Sequence, residues 1–539
     1  MKRTINILMI FAALSIAASC NKEDKLKVEQ LQQELDQLQK ENLPGVPASS
    51  VVDVPADQPF FFTFDKTKYG ADAGSTVSIP YTLQEAATVT VSAKDGWSAV
   101  LKVSSPTEGT IEVTAPDPAS PVELVATAVT ESGSQAAVIL PIMVRDPYSD
   151  ATRTDVPAMA YYCLYSGIAN DYHFQKLVEC GMNMITIEEV DNWEEQLRLA
   201  DKYGIKGVLF VNGSAGEYYQ THGTSTRLAE TIAKAKTYPS LAGYQIFDEP
   251  STDNIGQIRY EKDAIEALDP DPNHPVYVNL HPSSASKGSL GVEDYFEYVE
   301  TFVTECNLKL ITFDQYPVFQ GYIDPSWPRS LAAVRESALR HNIPFWAFTC
   351  CCREWNREDP SLENIRLQCN TNLAYGAQVN QFFVYRSTSG TDFAPLQTWE
   401  YDEHGNKVGV VKYTAAFDIC KAYCTEMHNR GYVFAGSDVK AVRKTQVMDA
   451  WNESLSVNDL PPQINSFFTS REAVVSLVEN KGNEYLVVVN SLWNWTQQVA
   501  IDLNDVVYMI DHDGNFTELQ PGISRFDLEG GDMLVFKYR

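Results

Sequence analysis

Between about Asp155 and Gly436, short apolar, β-branched runs alternate eight times with longer segments of helical periodicity, and no other feature narrows the fold as much. The runs are 158–164, 184–188, 207–211, 243–247, 275–279, 310–313, 345–349 and 381–385. Helical segments between and after them include 193–203, 226–236, 255–268, 294–305, 328–341, 362–375 and 414–427. Strands joined through helices run parallel, because a tight hairpin would reverse the chain. Eight such pairs in about 280 residues predict a closed (β/α)8 TIM barrel over 155–436. An open doubly wound sheet would carry a glycine-rich phosphate loop after its first strand, and Tyr162-Cys163-Leu164-Tyr165-Ser166-Gly167 is not one.

At roughly 100 to 200 residues per domain, a chain of 539 residues holds three or four units. Residues 52–147 read as short β-rich runs (76–83, 87–92, 109–114, 122–129) broken by Gly, Pro and Asp, which predicts an N-terminal β-sandwich. It resembles the immunoglobulin-like modules that precede barrels in secreted carbohydrate-active enzymes. A sugar-binding role for it would need an exposed aromatic platform, for which Trp97 is the main candidate. Residues 437–539 return to short strands such as 485–490, 497–503 and 532–537, and predict a C-terminal β-sandwich packed on the barrel. The fold expected is therefore multidomain, a central TIM barrel flanked by two sandwiches.

Lys2 and Arg3 precede a short apolar run, 5–16, and then Ala17-Ala18-Ser19-Cys20. This resembles a bacterial lipoprotein signal, which implies a leader over 1–19, a lipidated Cys20 and a membrane contact through that lipid. The run is too short to span a bilayer, which takes about 20 residues. Lys22-Glu23-Asp24 resembles the export tag of surface lipoproteins, so the expected location is the outer membrane at the cell surface, with the periplasmic face as the alternative. Within 20–51, Val28, Leu31, Leu35 and Leu38 follow a coiled-coil seam for barely two heptads, enough for a weak homo-oligomeric contact, before Leu43-Pro44-Gly45-Val46-Pro47 breaks it.

Forty-two Lys and Arg against 71 Asp and Glu give a net charge of −29, which repels a phosphate backbone and excludes nucleic acid as a partner. Cys350-Cys351-Cys352 lacks zinc-site spacing, and consecutive residues on an extended segment point in alternate directions; no metal and no cofactor are expected. Cys420 and Cys424, four apart on a predicted helix, read as small buried apolar side chains.

In a barrel of this kind the site forms where the strands end, and acidic and aromatic residues gather there. Strand two ends in Glu188-Glu189, strand three in Asn212, strand four in Asp248-Glu249-Pro250, strand five in His281, strand six in Asp314-Gln315-Tyr316-Pro317, and strand eight in Tyr385-Arg386. A cleft of carboxylates, Tyr and Trp suits sugars, since carboxyl pairs move protons and stabilise an oxocarbenium ion while aromatic faces stack on pyranose rings. Tyr244, Trp346 and Tyr385 lie on the strands themselves, where side chains alternate into and out of the barrel.

The run Gly243-Tyr244-Gln245-Ile246-Phe247-Asp248-Glu249-Pro250 resembles the strand-four motif of barrel glycoside hydrolases, in which a Glu at the strand end is the general acid. The resemblance implies Glu249 as acid/base. In clan A enzymes the nucleophile is a Glu ending strand seven, but the matching stretch here, Ile343-Pro344-Phe345-Trp346-Ala347-Phe348-Thr349-Cys350, has no carboxylate. Asp314 or Glu188 could supply it, and Glu354 could reach in from the following loop. Alternatively, Asp248 and Glu249 act as the adjacent pair of the β-N-acetylhexosaminidase-type enzymes: the substrate's 2-acetamido group attacks, Asp248 orients it, Glu249 donates the proton, and Tyr316 bonds the acetamido oxygen. Glu188, Asn212, Tyr244, His281, Tyr316, Trp346, Tyr385 and Arg386 would line the substrate. The expectation is a lipid-anchored glycoside hydrolase acting on oligo- or polysaccharide, with a glycan-binding protein whose barrel is inactive as the alternative.

Overall fold

The computed structural model describes residues 62–64, 69–71, 74–94, 96–116, 122–144, 155–189, 192–446 and 453–539. The leader, Cys20 and the heptad segment lie outside the described residues. Among the described residues no helix is long and apolar enough to cross a membrane.

Eight parallel strands close into a barrel: β1 (Ala158–Ala160), β2 (Met184–Glu188), β3 (Lys206–Phe210), β4 (Leu241–Asp248), β5 (Val276–Leu280), β6 (Ile311–Phe313), β7 (Phe345–Cys350) and β8 (Asn380–Phe383), with β8 pairing back onto β1. Around them pack α1 (Asp171–Cys180), α2 (Trp193–Tyr203), α3 (Asn212–Gln220), α4 (Arg227–Ala235), α5 (Ile255–Leu268), α6 (Tyr295–Glu305), α7 (Trp327–His341), α8 (Leu362–Tyr375) and α9 (Ala415–Phe434). The expected first strand, 158–164, stops at Ala160, and Tyr162 takes a left-handed backbone with φ 46°. Helices α1 and α3 stand outside the sequence expectation. Helix α9 continues past 427 to Phe434 because its last residues are buried against the C-terminal sheet. An antiparallel hairpin, Leu396–Tyr401 with Lys407–Tyr413, also interrupts the expected β8–α9 connection.

Strand alternation divides the barrel into two cores. On β7, Phe345 and Ala347 face the helices, whereas Trp346, Phe348 and Cys350 face the lumen. Cys350 and Cys352 share the lumen side and Cys351 joins the helix layer, the alternation expected for consecutive cysteines. All nine described cysteines are free and buried, Cys420 and Cys424 among them.

Towards the N-terminus two four-stranded sheets share one apolar cluster that includes Ile79, Ile111, Leu124 and Ile142. Trp97 is buried in that cluster, which removes it as an exposed platform. Towards the C-terminus lie a seven-stranded and a three-stranded sheet. On the strand Asn483–Asn490, Leu486 and Val488 face the smaller sheet's Val499 and Ile501, while Val487 and Val489 join the helix layer of the barrel. Asn480 Nδ2 donates to the carbonyls of Tyr432, Val433 and Ala435 at the end of α9. Arg366 of α8 pairs with Glu426 and reaches Glu529 at 2.9 Å.

Glu261 on α5 is 1% exposed, and Gln257 donates to its Oε1 at 2.7 Å. Burial pushes its pKa up to about 7, from 4.5 in an open chain. Unfolding therefore releases a proton between those values, so the contribution of Glu261 to stability is fully present below pH 4.5 and is lost as pH rises through 7. Glu261→Gln should unfold level with wild type near pH 4.5 and be more stable near pH 8, by on the order of 1 to 2 kcal/mol in denaturant titrations.

Candidate active site

Closure of the barrel brings the C-terminal ends of all eight strands to one rim, so the residues leaving each strand meet there. Asp248 is the last residue of β4 and Glu249 the first beyond it. Glu249 has φ 46°, a left-handed conformation that costs a non-glycine residue about 1 to 3 kcal/mol unless its surroundings impose it. Its N–H donates to the Asn279 carbonyl at 2.8 Å. Tyr298 of α6 donates to the Pro250 carbonyl at 2.6 Å and accepts from the His281 N–H, while Tyr295 donates to the His281 carbonyl. Two tyrosines of one helix thus clamp the loops after β4 and β5. The Glu249 carboxylate, 43% exposed, lies 3.3 Å from His281 Nδ1.

Asp248 is held from inside the barrel. Gln381 of β8 donates to Thr312 Oγ1 (3.2 Å), Thr312 of β6 donates to Asn279 Oδ1 (2.9 Å), and Asn279 of β5 donates to Asp248 Oδ1 (3.0 Å). A second set joins Tyr277, Gln245 and Tyr161 across the same lumen. Burial raises the Asp248 pKa, the Asn279 amide opposes it, and the neighbouring Glu249 charge adds to the rise.

Asp314 follows β6 directly, and its Oδ1 is buried without a hydrogen-bond partner among the described residues. Burial, then the charges of Glu249 and Asp248, hold it well above the ordinary carboxylate range. Glu354 comes from the loop after β7, where Arg353–Glu354 pairs with Thr391–Asp392 from beyond β8. Its pKa is raised by burial, drawn back by Arg357, and raised again by Glu249. Three carboxyl groups, those of Asp248, Asp314 and Glu354, therefore gather around Glu249.

Across the mouth, Glu188 at the end of β2 faces the Arg386 guanidinium at 3.7 Å, and Arg386 lies over the Tyr165 ring. Tyr316 stacks on Phe383 at 4.8 Å and 23°. Trp346 is 8% exposed, in the lumen against Tyr277. Asn212 is exposed at the first position of α3. Two residues fall elsewhere: Tyr244 points out of the barrel and donates to Asp269 at 2.6 Å, and Tyr385 is fully buried in the helix layer. Both are one position out of phase with the lumen-facing Gln245 and Val384. Glu189 binds Ser214 N–H, Thr231 and Arg227, and so fixes the start of α3. Asn279 was visible in the sequence as a strand-five residue, but its bond to Asp248 was not; Arg357 and Trp355 carried no sequence signal.

Among the described residues one group could gather around a cation, Glu426, His512 and Asp532, with ligand atoms within 4.8 Å of one another. It lies at the seam with the C-terminal sheet, where the Arg366 guanidinium already pairs with Glu426.

No protein-family model matches the chain, and no curated protein matches its sequence. Similar solved structures are glycoside hydrolases: a β-glucuronidase from Ruminococcus gnavus (14% identity, 67% of this chain and 67% of that one, TM-score 0.34), a family 99 endo-α-mannosidase from Bacteroides thetaiotaomicron (10%, 51% and 98%, 0.35) and a family 5 xyloglucanase from Bacteroides ovatus (9%, 68% and 99%, 0.29). At this degree of likeness, chemistry has to be read from the side chains of this chain.

Replacing Asn279 by Ala removes the side-chain hydrogen bond that favours a charged Asp248 from inside the barrel. The variant should lose roughly 1 to 3 kcal/mol, and the loss should grow as pH rises from about 4 to 8, because burial already holds the folded Asp248 above its unfolded pKa and loss of the amide raises it further than in wild type. Thermal unfolding of both proteins across that range checks it.

Proposed function

We propose that the protein is a glycoside hydrolase acting on oligo- or polysaccharide, with Glu249 as its general acid/base. The observation that carries the reading is the set of four carboxyl groups, Asp248, Glu249, Asp314 and Glu354, around one point of the barrel mouth beside the Tyr316–Phe383 stack. Glu249 is accessible and lies 3.3 Å from His281 Nδ1, placed to give a proton to the glycosidic oxygen and take one from water. Glu354 is the second carboxylate, as nucleophile or water-activating base: burial raises its pKa, and Arg357 beside it partly opposes that rise. Asp314, the carboxyl most disposed to keep its proton, serves instead as a hydrogen-bond donor to the sugar. Glu188 and Arg386, on the far side, recognise hydroxyls.

The substrate-assisted scheme is favoured by one observation, the grip of Asn279 on Asp248 beside Glu249. There Asp248 orients a 2-acetamido group and no protein nucleophile is needed. Aryl glycosides with and without that group, given to wild type, Glu249→Gln and Glu354→Gln, separate the two. Both variants should lose about 10²- to 10⁴-fold in kcat on the plain glycosides. Hydrolysis confined to the 2-acetamido substrates and kept in Glu354→Gln selects the assisted route. The second reading, a glycan-binding protein with an inactive barrel, is favoured by Cys350 ending β7 in place of a carboxylate; binding without turnover of any linkage would select it.

In the same proposal Cys20 carries a lipid that anchors the protein in the outer membrane, facing the cell exterior. The sheets on either side of the barrel form β-sandwich modules that hold it off the membrane, and the heptad segment gives a weak contact between copies. Labelled palmitate should enter the wild-type chain and not Cys20→Ala.

A further inference from the structure

The loops after β6 and β7 build one wall of the barrel mouth. After β6, the hairpin Val318–Phe319 with Tyr322–Ile323 stacks the rings of Phe319 and Tyr322 at 4.8 Å and 5°. The loop after β7 is tied to it by a bridge between Phe319 and Arg357, by Gln320 N–H to the Asn356 carbonyl (3.1 Å) and by Glu358 N–H to the Val318 carbonyl (3.0 Å). The Arg357 guanidinium lies 3.7 Å over the Phe319 ring and also donates to the Tyr316 carbonyl. On its other side Arg353 pairs with Asp359 and with Asp392 beyond β8. The wall is therefore rigid without any contribution from the residue at its tip.

That residue is Trp355. A tight turn closed by Arg357 N–H to the Glu354 carbonyl (2.9 Å) places it in the left-handed region, φ 48°, with 87% of its surface exposed. Among the described residues no ring or cation stacks on its indole. Exposed Trp495, by contrast, is covered by the Arg471 guanidinium at 4.7 Å. Exposing an indole forgoes roughly 2 kcal/mol or more of apolar burial, and a strained turn adds to that cost. An open, flat aromatic face one residue from Glu354, at the end of a braced wall, matches the apolar C–H face of a pyranose ring.

We propose that Trp355 is the platform of a subsite that binds a sugar ring beyond the cleaved linkage, so that the substrate is a glycan chain running from the carboxylates over the wall of the β6 and β7 loops. This rests on the reading of the site as a glycosidase. The subsite adds affinity only for ligands long enough to reach it, which sets chains apart from single sugars.

Cellohexaose, mannohexaose and chitohexaose, with the matching aryl monoglycosides, provide the probes. Affinity is measured by calorimetry on the Glu249→Gln protein, and kcat/KM on the protein with Glu249 intact. Trp355→Ala should weaken binding of whichever hexasaccharide is bound by about tenfold or more. It should also lower kcat/KM for that hexasaccharide about tenfold further than for its aryl monoglycoside, while Trp355→Phe restores most of both. Trp495→Ala, on the C-terminal sheet, should leave binding and turnover as they are. Hexasaccharide binding that survives Trp355→Ala overturns the subsite and leaves the glycosidase reading standing. Wild type that neither binds nor cleaves any of the probes overturns both.

Discussion

Closure of a parallel sheet obliges every strand to be covered on both faces, and the rest of this molecule follows from how the two faces are filled. The outward face is apolar and continuous with the helices. The inward face is partly polar, and its buried amides and hydroxyls cost free energy wherever they stay unbonded. Gln381, Thr312 and Asn279 lower that cost by bonding in a chain that ends on Asp248, with Gln381 Oε1 alone of these groups left without a partner among the described residues. The orientation of a carboxylate at the rim is thereby tied to side chains as far as four strands away, on the opposite side of the barrel.

The same division explains which parts of the site the sequence could show. Strand ends are legible because apolar runs stop where charged residues start, and Asp248, Glu249, Asp314 and Glu188 all stand at such stops. Strand phase is not legible in a run buried on both faces, since there is no polar alternation to read. Tyr244 and Tyr385 were therefore expected at the substrate and instead fill the helix layer. A bulge between Gln245 and Phe247 shifts the register within β4 itself, which no pattern of apolar residues announces.

Loop residues are harder still, because their positions depend on partners distant in the chain. The sequence leaves Glu354 free either to reach in from its loop or to lie at the surface beside Arg353; in the structure 353–354 pairs with 391–392 and the carboxyl lies near Glu249. Four non-glycine residues with left-handed backbones, Tyr162, Glu249, Trp355 and Phe393, lie on loops beyond β1, β4, β7 and β8. Local preference alone would not put tyrosine, tryptophan or phenylalanine there. Helix α1 was missed for another reason: Asn170 caps it and Gly181 ends it, but its buried face is only four residues, one of them His173.

The strand Met533–Lys537 sits inside the seven-stranded sheet, between Asn483–Asn490 and Val507–Ile510, and not at its edge. That sheet covers an apolar face of α8 and α9. During synthesis the barrel's own strands emerge long before this cover can assemble, so an apolar flank of the central unit stays bare until residues 533–537 arrive. A nascent chain of this design keeps its aggregation-prone interval open until those residues have emerged, because intermediates with bare apolar surface tend to associate.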